Sequence, residues 1–272
     1  MNPLAVDTPQ LQLHTHPIAP EHPLPPAQPG WWRARHFLLD LDGTLVSQGV
    51  AMPHAAELLE RVSDRYALVS NNSTHTASGL ARALHRIGLR VPARRIVLAG
   101  EHTLQLVAQE HPGARIRLIA SPALQRRARE LGCTLVDAEP EIVVLARDER
   151  FTYAKLASIV NQLRAGARLI VANPDLSHPA HGGGLVPETG ALMHAVVACS
   201  GVQPHRVIGK PGDLLFREGL SRLRARAADT LMIGDNHSTD ALGAARMGMR
   251  CALVGEASEA HVPTLAALLE AD

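Results

Sequence analysis

Two acidic residues, Asp40 and Asp42, lie at the end of the first apolar segment, residues 36–41, and are followed by Gly43 and Thr44. Because alternate residues of a strand share a face, carboxylates at this spacing repel each other unless a cation neutralises them. Mg²⁺ prefers oxygen ligands and would bridge them to a phosphate oxygen, leaving one carboxylate as nucleophile and the other as proton donor. An Asp-Gly turn after a strand is also common without catalysis, so this motif alone leaves both interpretations open.

Two more predicted strands end in residues that could contact a phosphate group. Ser70 follows residues 66–69, and a hydroxyl with the backbone N–H groups that open a helix would cradle an anion, although an ordinary helix N-cap explains a serine there as well. Lys210 follows the apolar pair 207–208, where one ammonium would offset carboxylate and phosphate charge. A lysine in a surface turn is the alternative, but the chain contains only two lysines, Lys155 and Lys210.

A fourth segment, Gly234-Asp235 with Asp240, comes directly after the apolar run 231–233. Asp235 would complete the oxygen shell of the metal, and Asp240 would hold that shell from behind while capping the next helix. A strand, turn and helix with a purely structural role is the alternative.

Short apolar runs alternate with helical stretches from about Arg35 onward, a pattern typical of βαβ units and a parallel sheet. In the helix predicted over residues 152–165, Tyr153, Leu156, Val160 and Leu163 fall on one face. The predicted strands cover residues 36–41, 66–69, 96–99, 116–120, 142–146, 169–172, 207–208, 231–233 and 251–254. One further helix is predicted to start at Pro53, and another to end near Gly88. The remaining predicted helices cover residues 104–110, 122–131, 191–199, 214–223 and 240–247.

Together these segments resemble the four motifs of the haloacid dehalogenase-like hydrolase superfamily, over about residues 35–256. The long insert between Ser70 and Lys210 resembles its type IIA cap branch, which includes 4-nitrophenyl, phosphoglycolate and pyridoxal phosphatases. Asn173-Pro174-Asp175 and Pro187-x-x-Gly190-Ala191 point to the same branch.

The resemblance implies an α/β fold in which an α/β cap domain is inserted into a Rossmann-like parallel-sheet core. The core would comprise residues 31–112 and 203–272, and the cap residues 113–202. It also implies a Mg²⁺-dependent phosphatase that hydrolyses small phosphate monoesters, such as a sugar phosphate, a phosphorylated acid or a nucleotide, through an aspartyl-phosphate intermediate.

Carried over to this sequence, the resemblance assigns a role to each motif residue. Asp40 would be the nucleophile and Asp42 the general acid and base. The phosphate would be held by Ser70, Asn71 and Lys210, and Mg²⁺ by Asp40, the backbone carbonyl of Asp42, and Asp235, with Asp240 behind them. Asp175, His178 and the loop 181–186 of the cap would contact the substrate.

Two other functions use the same residues differently. A phosphomutase or phosphotransferase would pass the phosphoryl group of an aspartyl phosphate to an acceptor other than water. A non-catalytic module would bind a phosphorylated ligand on the same fold, but it would have no need of a nucleophile and an acid together.

Composition limits the partners. The chain of 272 residues has a net charge of +1, and no apolar stretch approaches the roughly 20 residues of a membrane span, so we expect neither nucleic-acid nor membrane binding.

The arginine clusters at residues 126–129 and 222–226 are interpreted as solvated helix faces. A cytoplasmic protein that acts on a small phosphorylated metabolite is predicted, and a homodimer stays open. Three widely spaced cysteines are expected to be buried free thiols, and the proline-rich residues 1–30 a flexible tail.

Overall fold

The computed structural model describes residues 30–271, without the side chain of His181. Nearly all of the tail predicted for residues 1–30 therefore lies outside the described residues. In chain order, the strands are β1 (His36–Leu39), β2 (Val46–Ser47), β3 (Val50–Ala51), β4 (Tyr66–Ser70), β5 (Ile96–Leu98), β6 (Arg115–Ile119), β7 (Thr134–Leu135), β8 (Ile142–Leu145), β9 (Arg168–Val171), β10 (Ser177–Pro179), β11 (Leu185–Pro187), β12 (Arg206–Val207), β13 (Thr230–Gly234) and β14 (Arg250–Leu253). The helices are α1 (Ala55–Val62), α2 (Ala77–Arg86), α3 (Ala99–Glu110), α4 (Pro122–Glu130), α5 (Tyr153–Arg164), α6 (Thr189–Ser200), α7 (Asp213–Leu223), α8 (Leu242–Arg246) and α9 (Leu265–Glu270).

The first sheet is parallel, with β1 at its centre in the order β14-β13-β1-β4-β5. Helices cover both faces of this sheet. Successive side chains of β1 point to opposite faces and therefore belong to different apolar clusters. Phe37 and Leu39 pack with α1, α2 and α9, whereas Leu38 packs with α3 and α7. All three side chains are fully buried. The α/β fold class predicted from the sequence is thereby confirmed.

The second sheet is also parallel, in the order β12-β9-β8-β6-β7. One of its faces packs against α5 and α6 through residues such as Val143 and Leu145. Its other face, which includes Ile116 and Val144, belongs to the apolar cluster that also contains Leu38 of the first sheet. The two sheets are therefore joined by one continuous hydrophobic core.

Strand β12 lies in a different sheet from the one that the sequence indicates. The prediction returns the chain to the first sheet at residue 203, whereas Arg206 and Val207 pair with Ile170 and Val171 of β9 in the second sheet. A two-residue strand carries no pattern that specifies its neighbour. The other domain boundaries stay a prediction.

Two expectations about packing hold only in part. On the predicted face of α5, Leu163 is buried and Leu156 packs against the same cluster, but Tyr153 is 86% exposed and the other buried residue is Ile159, so the buried side is rotated from the predicted face. The cysteines are free, but Cys199 is exposed at the end of α6 and the other two are half-buried. Within residues 30–271, no helix is both long and apolar enough to cross a membrane.

Candidate functional site

Three motif segments meet at one edge of the first sheet. Asp40 follows β1, Ser70 ends β4 and Asp235 follows β13, and these strands are adjacent and parallel. Since the carboxyl ends of parallel strands lie at the same edge, the side chains converge as the sequence indicates. Lys210 reaches this edge from the loop between β12 of the second sheet and α7.

A buried ammonium lies at the centre of the site. The Nζ atom of Lys210 donates to Asp40 Oδ1 at 2.5 Å and to Asp240 Oδ1 at 2.6 Å. Lys210 and Asp240 are fully buried, and Asp40 is nearly so. The two carboxylates compensate the charge of this lysine, which is removed from water.

Burial and mutual repulsion shift the pKa values of the group. Burial raises the pKa of the Asp40 carboxyl well above its ordinary value, Lys210 opposes this shift, and the charges of Asp240 and Asp235 add to it. Burial, followed by the charge of Asp240, raises the pKa of Asp235 to about 6. Burial alone would lower the pKa of Lys210, but Asp240 and Asp40 raise it, so the ammonium stays charged at neutral pH.

The donor set fits a divalent cation. One carboxylate oxygen from each of Asp40, Asp235 and Asp240 lies within 4.8 Å of the others. When ionised, these three carboxylates exceed the single ammonium of Lys210 by two negative charges, which one divalent ion would neutralise. The side chain of Asp42 is not part of this group.

Gly43 allows the first and fourth motifs to approach closely. Its φ is +88°, in the left-handed region, and a Cβ added there would overlap the carboxylate of Asp235. The neighbouring Thr44 Oγ1 donates to Asp235 Oδ1 at 3.2 Å. The Gly-Thr pair after Asp42 therefore sets the position of the Asp235 carboxylate.

Asp240 does not cap the helix that follows it. The cap is Asn236, whose Oδ1 accepts from the backbone N–H groups of Ser238 and Thr239 ahead of a π-helical turn, His237–Ala241. Asp240 lies inside that turn, where its Oδ2 accepts from the Asn236 N–H at 3.1 Å while Oδ1 binds Lys210. The capping part of the prediction is thus wrong, because an Asn four residues earlier takes that position.

Ser70 is buried, and its Oγ accepts from the backbone N–H of Asn72 at 3.1 Å. Contrary to the prediction, no helix begins here: α2 starts at Ala77 and is capped by Thr76. The intervening loop turns away because Asn72 Oδ1 accepts from the backbone N–H groups of residues 74 and 75.

Asn71 has its side chain engaged within the protein. Its Oδ1 accepts from the Lys210 N–H at 2.7 Å, and its Nδ2 donates to the Lys210 carbonyl at 3.1 Å and to Asp175 Oδ1 at 3.0 Å. Asn71 thereby braces the backbone of the buried lysine. It also links the first sheet to Asp175, which the sequence predicts to contact substrate.

Further hydrogen bonds join the two sheets beside this link. Asn173 Nδ2 donates to the Asn71 carbonyl at 2.7 Å and to Ser73 Oγ at 3.0 Å, and Ser73 Oγ lies 2.8 Å from Thr189 Oγ1. These side chains are buried or nearly so. Their hydrogen bonds therefore specify one arrangement of the two units, the first built on the first sheet and the second built on the second sheet.

Asp42 faces a second group of polar side chains. Although the residue is exposed, the walls around its carboxyl group remove hydration and raise its pKa, while the charges of Lys210 and His178 oppose this shift, followed by those of His75 and Arg147. A carboxyl that retains its proton more firmly than free aspartic acid is suited to protonating a leaving group.

Three of the residues around Asp42 were not predicted from the sequence: His75, Arg147 and Glu188. His178, which was predicted, lies on the hairpin β10–β11, and its Nδ1 is 2.7 Å from Glu188 Oε1. Arg147 Nη1 is 3.5 Å from the same oxygen. Glu188 occupies an unspecified position of the segment Pro187-x-x-Gly190-Ala191, the other two lie in no motif, and only the folded chain brings the three together.

Comparison with known proteins places these motifs within a family. The chain matches the model described as haloacid dehalogenase-like hydrolase over residues 37–134, and a second, HAD-hydrolase-like model over residues 207–267. It is 31% identical to the 5'-nucleotidase YutF of Bacillus subtilis over 221 residues, which cover 80% of this chain and 86% of that protein.

Solved structures show the same architecture. The 4-nitrophenylphosphatase of Thermotoga maritima superposes with a TM-score of 0.81 at 27% identity, covering 88% of this chain and 97% of that chain. The glycerol phosphate phosphatase of Mycobacterium tuberculosis, solved in complex with magnesium, gives a TM-score of 0.75 at 28% identity, with 84% and 70% of the two chains covered.

Proposed function

The chain belongs to the haloacid dehalogenase-like hydrolases and is a phosphatase, and from this premise we propose that it hydrolyses small phosphate monoesters through a phosphoryl group carried on Asp40. The observation that carries the proposal is the buried Lys210 ammonium, which holds the Asp40 carboxylate at 2.5 Å at the edge of the sheet. A carboxylate fixed beside a positive charge is positioned to attack phosphorus, and that charge offsets the negative charge of the phosphoryl oxygens.

In the first step, an Asp40 oxygen would form a bond to phosphorus as the ester oxygen leaves. Asp42 would donate its proton to that leaving oxygen. Water would then attack the aspartyl phosphate, with Asp42 taking the proton of the water, so that inorganic phosphate leaves and Asp40 is restored. The raised pKa of the Asp42 carboxyl supports its part in the first step.

Asp40, Asp235 and the backbone carbonyl of Asp42 would hold Mg²⁺. When bound, this ion would neutralise charge on the phosphoryl group. Asp240 would fix the Lys210 ammonium, and Ser70 with Lys210 would contact the phosphate. The side chain of Asn71 would hold the Lys210 backbone in place, leaving its backbone N–H for the phosphate.

The second unit would select the leaving group. Arg147 and His178 both lie near the same carboxylate oxygen of Glu188 and act electrostatically on Asp42, which would contact the leaving oxygen. A wall that presents both signs of charge suits small leaving groups with hydroxyl or carboxyl groups, such as sugars, hydroxy acids or nucleosides. Asp175, hydrogen-bonded to Asn71, would line the same cleft.

A panel of phosphorylated metabolites tests this proposal. We expect release of inorganic phosphate with a kcat/KM that differs among sugar phosphates, phosphorylated acids and nucleotides. Adding glycerol as an acceptor would reveal transfer, because a phosphotransferase would form glycerol phosphate in place of inorganic phosphate. Binding of every ester without turnover would contradict the proposal and favour a ligand-binding module.

Removal of divalent cations should abolish turnover of 4-nitrophenyl phosphate, and added Mg²⁺ should restore it. Since the Asp235 pKa is about 6, this carboxyl is protonated below pH 6 and the proton competes with the metal. The Mg²⁺ concentration that gives half-maximal activity should therefore increase about tenfold between pH 7 and pH 5. Full activity in EDTA, or half-maximal activation that is independent of pH, would contradict the assignment.

The substitution Gly43→Ala should reduce kcat by about 100-fold, because the added methyl group displaces the Asp235 carboxylate. Gly49→Ala is the matched control: its φ is also positive, +78°, but nothing lies within 4 Å of the added Cβ. Both variants should lose about 1 kcal/mol of stability from the left-handed backbone, measured by urea unfolding. Similar kcat values for the two variants would show that the contact with Asp235 is unimportant.

A further inference from the structure

A cavity of about 550 Å³ lies where α2, α3 and α7 of the first unit meet α4 of the second. The four site aspartates and Lys210 do not line it, although His75, whose charge acts on Asp42, does. Its charged lining residues are Arg82, Arg94, Arg126, Arg127, Arg222, Glu101 and Glu130.

The two acidic residues of the cavity both pair with one arginine. Glu101 Oε1 accepts from Arg127 Nε at 2.7 Å, and its Oε2 accepts from the Ala77 N–H at the start of α2 at 2.6 Å. Glu130 Oε2 accepts from Arg127 Nη1 at 3.2 Å. Arg127 therefore compensates one of the two negative charges in the wall.

The remaining arginines leave the cavity strongly positive. Arg222 pairs with Glu218 at 2.8 Å, outside the lining, and donates to the Ile96 carbonyl. Arg82, Arg94 and Arg126 are solvent-accessible and form no ion pair with any residue in 30–271. Three guanidinium groups without an ion pair thus line one half-open cavity, where they outnumber the single acidic charge left over, on a chain whose net charge is only +1.

We propose that this cavity binds a small anion with two or more phosphate groups, held by Arg82, Arg94 and Arg126. One guanidinium group can donate two parallel hydrogen bonds to the oxygens of a phosphate group. The volume of the cavity is typical of a pocket that binds a small molecule. The three arginines come from α2, from the turn before β5 and from α4, so an anion that carries several phosphate groups would engage them together. The bound anion would connect the two units through α2 and α4.

Titration calorimetry with inorganic tripolyphosphate tests the site on the full-length chain. The variant Arg82→Ala/Arg126→Ala removes two cavity arginines. The matched control, Arg86→Ala/Arg129→Ala, removes two exposed arginines from the same helices, outside the cavity. Any binding at the acidic site is common to all three proteins, so their difference isolates the cavity.

We expect the cavity variant to bind tripolyphosphate at least tenfold more weakly than the wild type, while the control binds within twofold of it. Both variants should hydrolyse 4-nitrophenyl phosphate at the wild-type rate without tripolyphosphate, which shows that they are folded. Orthophosphate should not compete with tripolyphosphate for the cavity. Equal weakening in the two variants, or unchanged affinity in the cavity variant, would overturn the proposal.

Discussion

The substitution Asp40→Asn should lower kcat for 4-nitrophenyl phosphate by at least about 10⁴-fold, equivalent to about 5 kcal/mol of activation free energy. An amide cannot form the acyl phosphate that the proposed mechanism requires, and water alone would have to attack the bound ester. The fold should survive, since Lys210 keeps its 2.6 Å contact with Asp240 and one of several repelling carboxylates is removed.

The control for this experiment is Asp64→Asn, at a side chain that is 91% exposed and paired with Arg95 away from the site. It makes the same chemical change and should leave kcat within twofold of the wild type. Circular dichroism and urea unfolding of both variants separate loss of chemistry from loss of structure. A folded Asp40→Asn enzyme that retains more than a few per cent of the activity would exclude Asp40 as the nucleophile.

The substitution Lys210→Met should reduce both stability and activity. Methionine fills similar space but leaves the buried carboxylates of Asp40 and Asp240 without their cation, and breaking a buried ion pair in this way costs about 3–5 kcal/mol. Urea unfolding without divalent cations measures this loss. It should be nearly constant between pH 7 and pH 9, because the raised pKa keeps the wild-type ammonium charged throughout that range.

The chain provides its own control, since Lys155 is its other lysine. Lys155 is 30% exposed and binds a single carboxylate, that of Asp148, at 2.6 Å, so Lys155→Met should cost less stability and leave kcat unchanged. Added Mg²⁺ should restore part of the stability of Lys210→Met without restoring its activity. Equal stability losses in the two variants would contradict the central role given to Lys210.

The sequence predicts the acidic site well because its parts follow buried strands. Asp40, Ser70 and Asp235 each end an apolar run, and in a parallel sheet such ends share one edge. Lys210 was found from its motif and its rarity, although its strand belongs to the other sheet. Sheet membership depends on pairing, which two residues of β12 do not encode.

The charged side chains around Asp42, which would contact the leaving group, were mostly not predicted from the sequence, for a different physical reason. His75, Arg147 and Glu188 are far apart in the sequence, and each type of residue is common on protein surfaces. Only the packing of the second unit over the first brings them near Asp42. For the same reason Arg126 and Arg222, which separately resemble solvated helix faces, were not predicted to share a cavity.

The apolar cluster common to both sheets has a consequence for substrate entry and product exit. A wide hinge-like swing of one unit away from the other would open this shared apolar cluster to water and break the Asn173 hydrogen bonds, so we expect the closed arrangement to persist through the catalytic cycle. Entry and product exit then fall to the tip of the hairpin β10–β11, where Gly182 and Gly183 adopt positive φ. A few residues at the tip of this hairpin would then gate turnover, and the sequence of that loop would set the rate of product release.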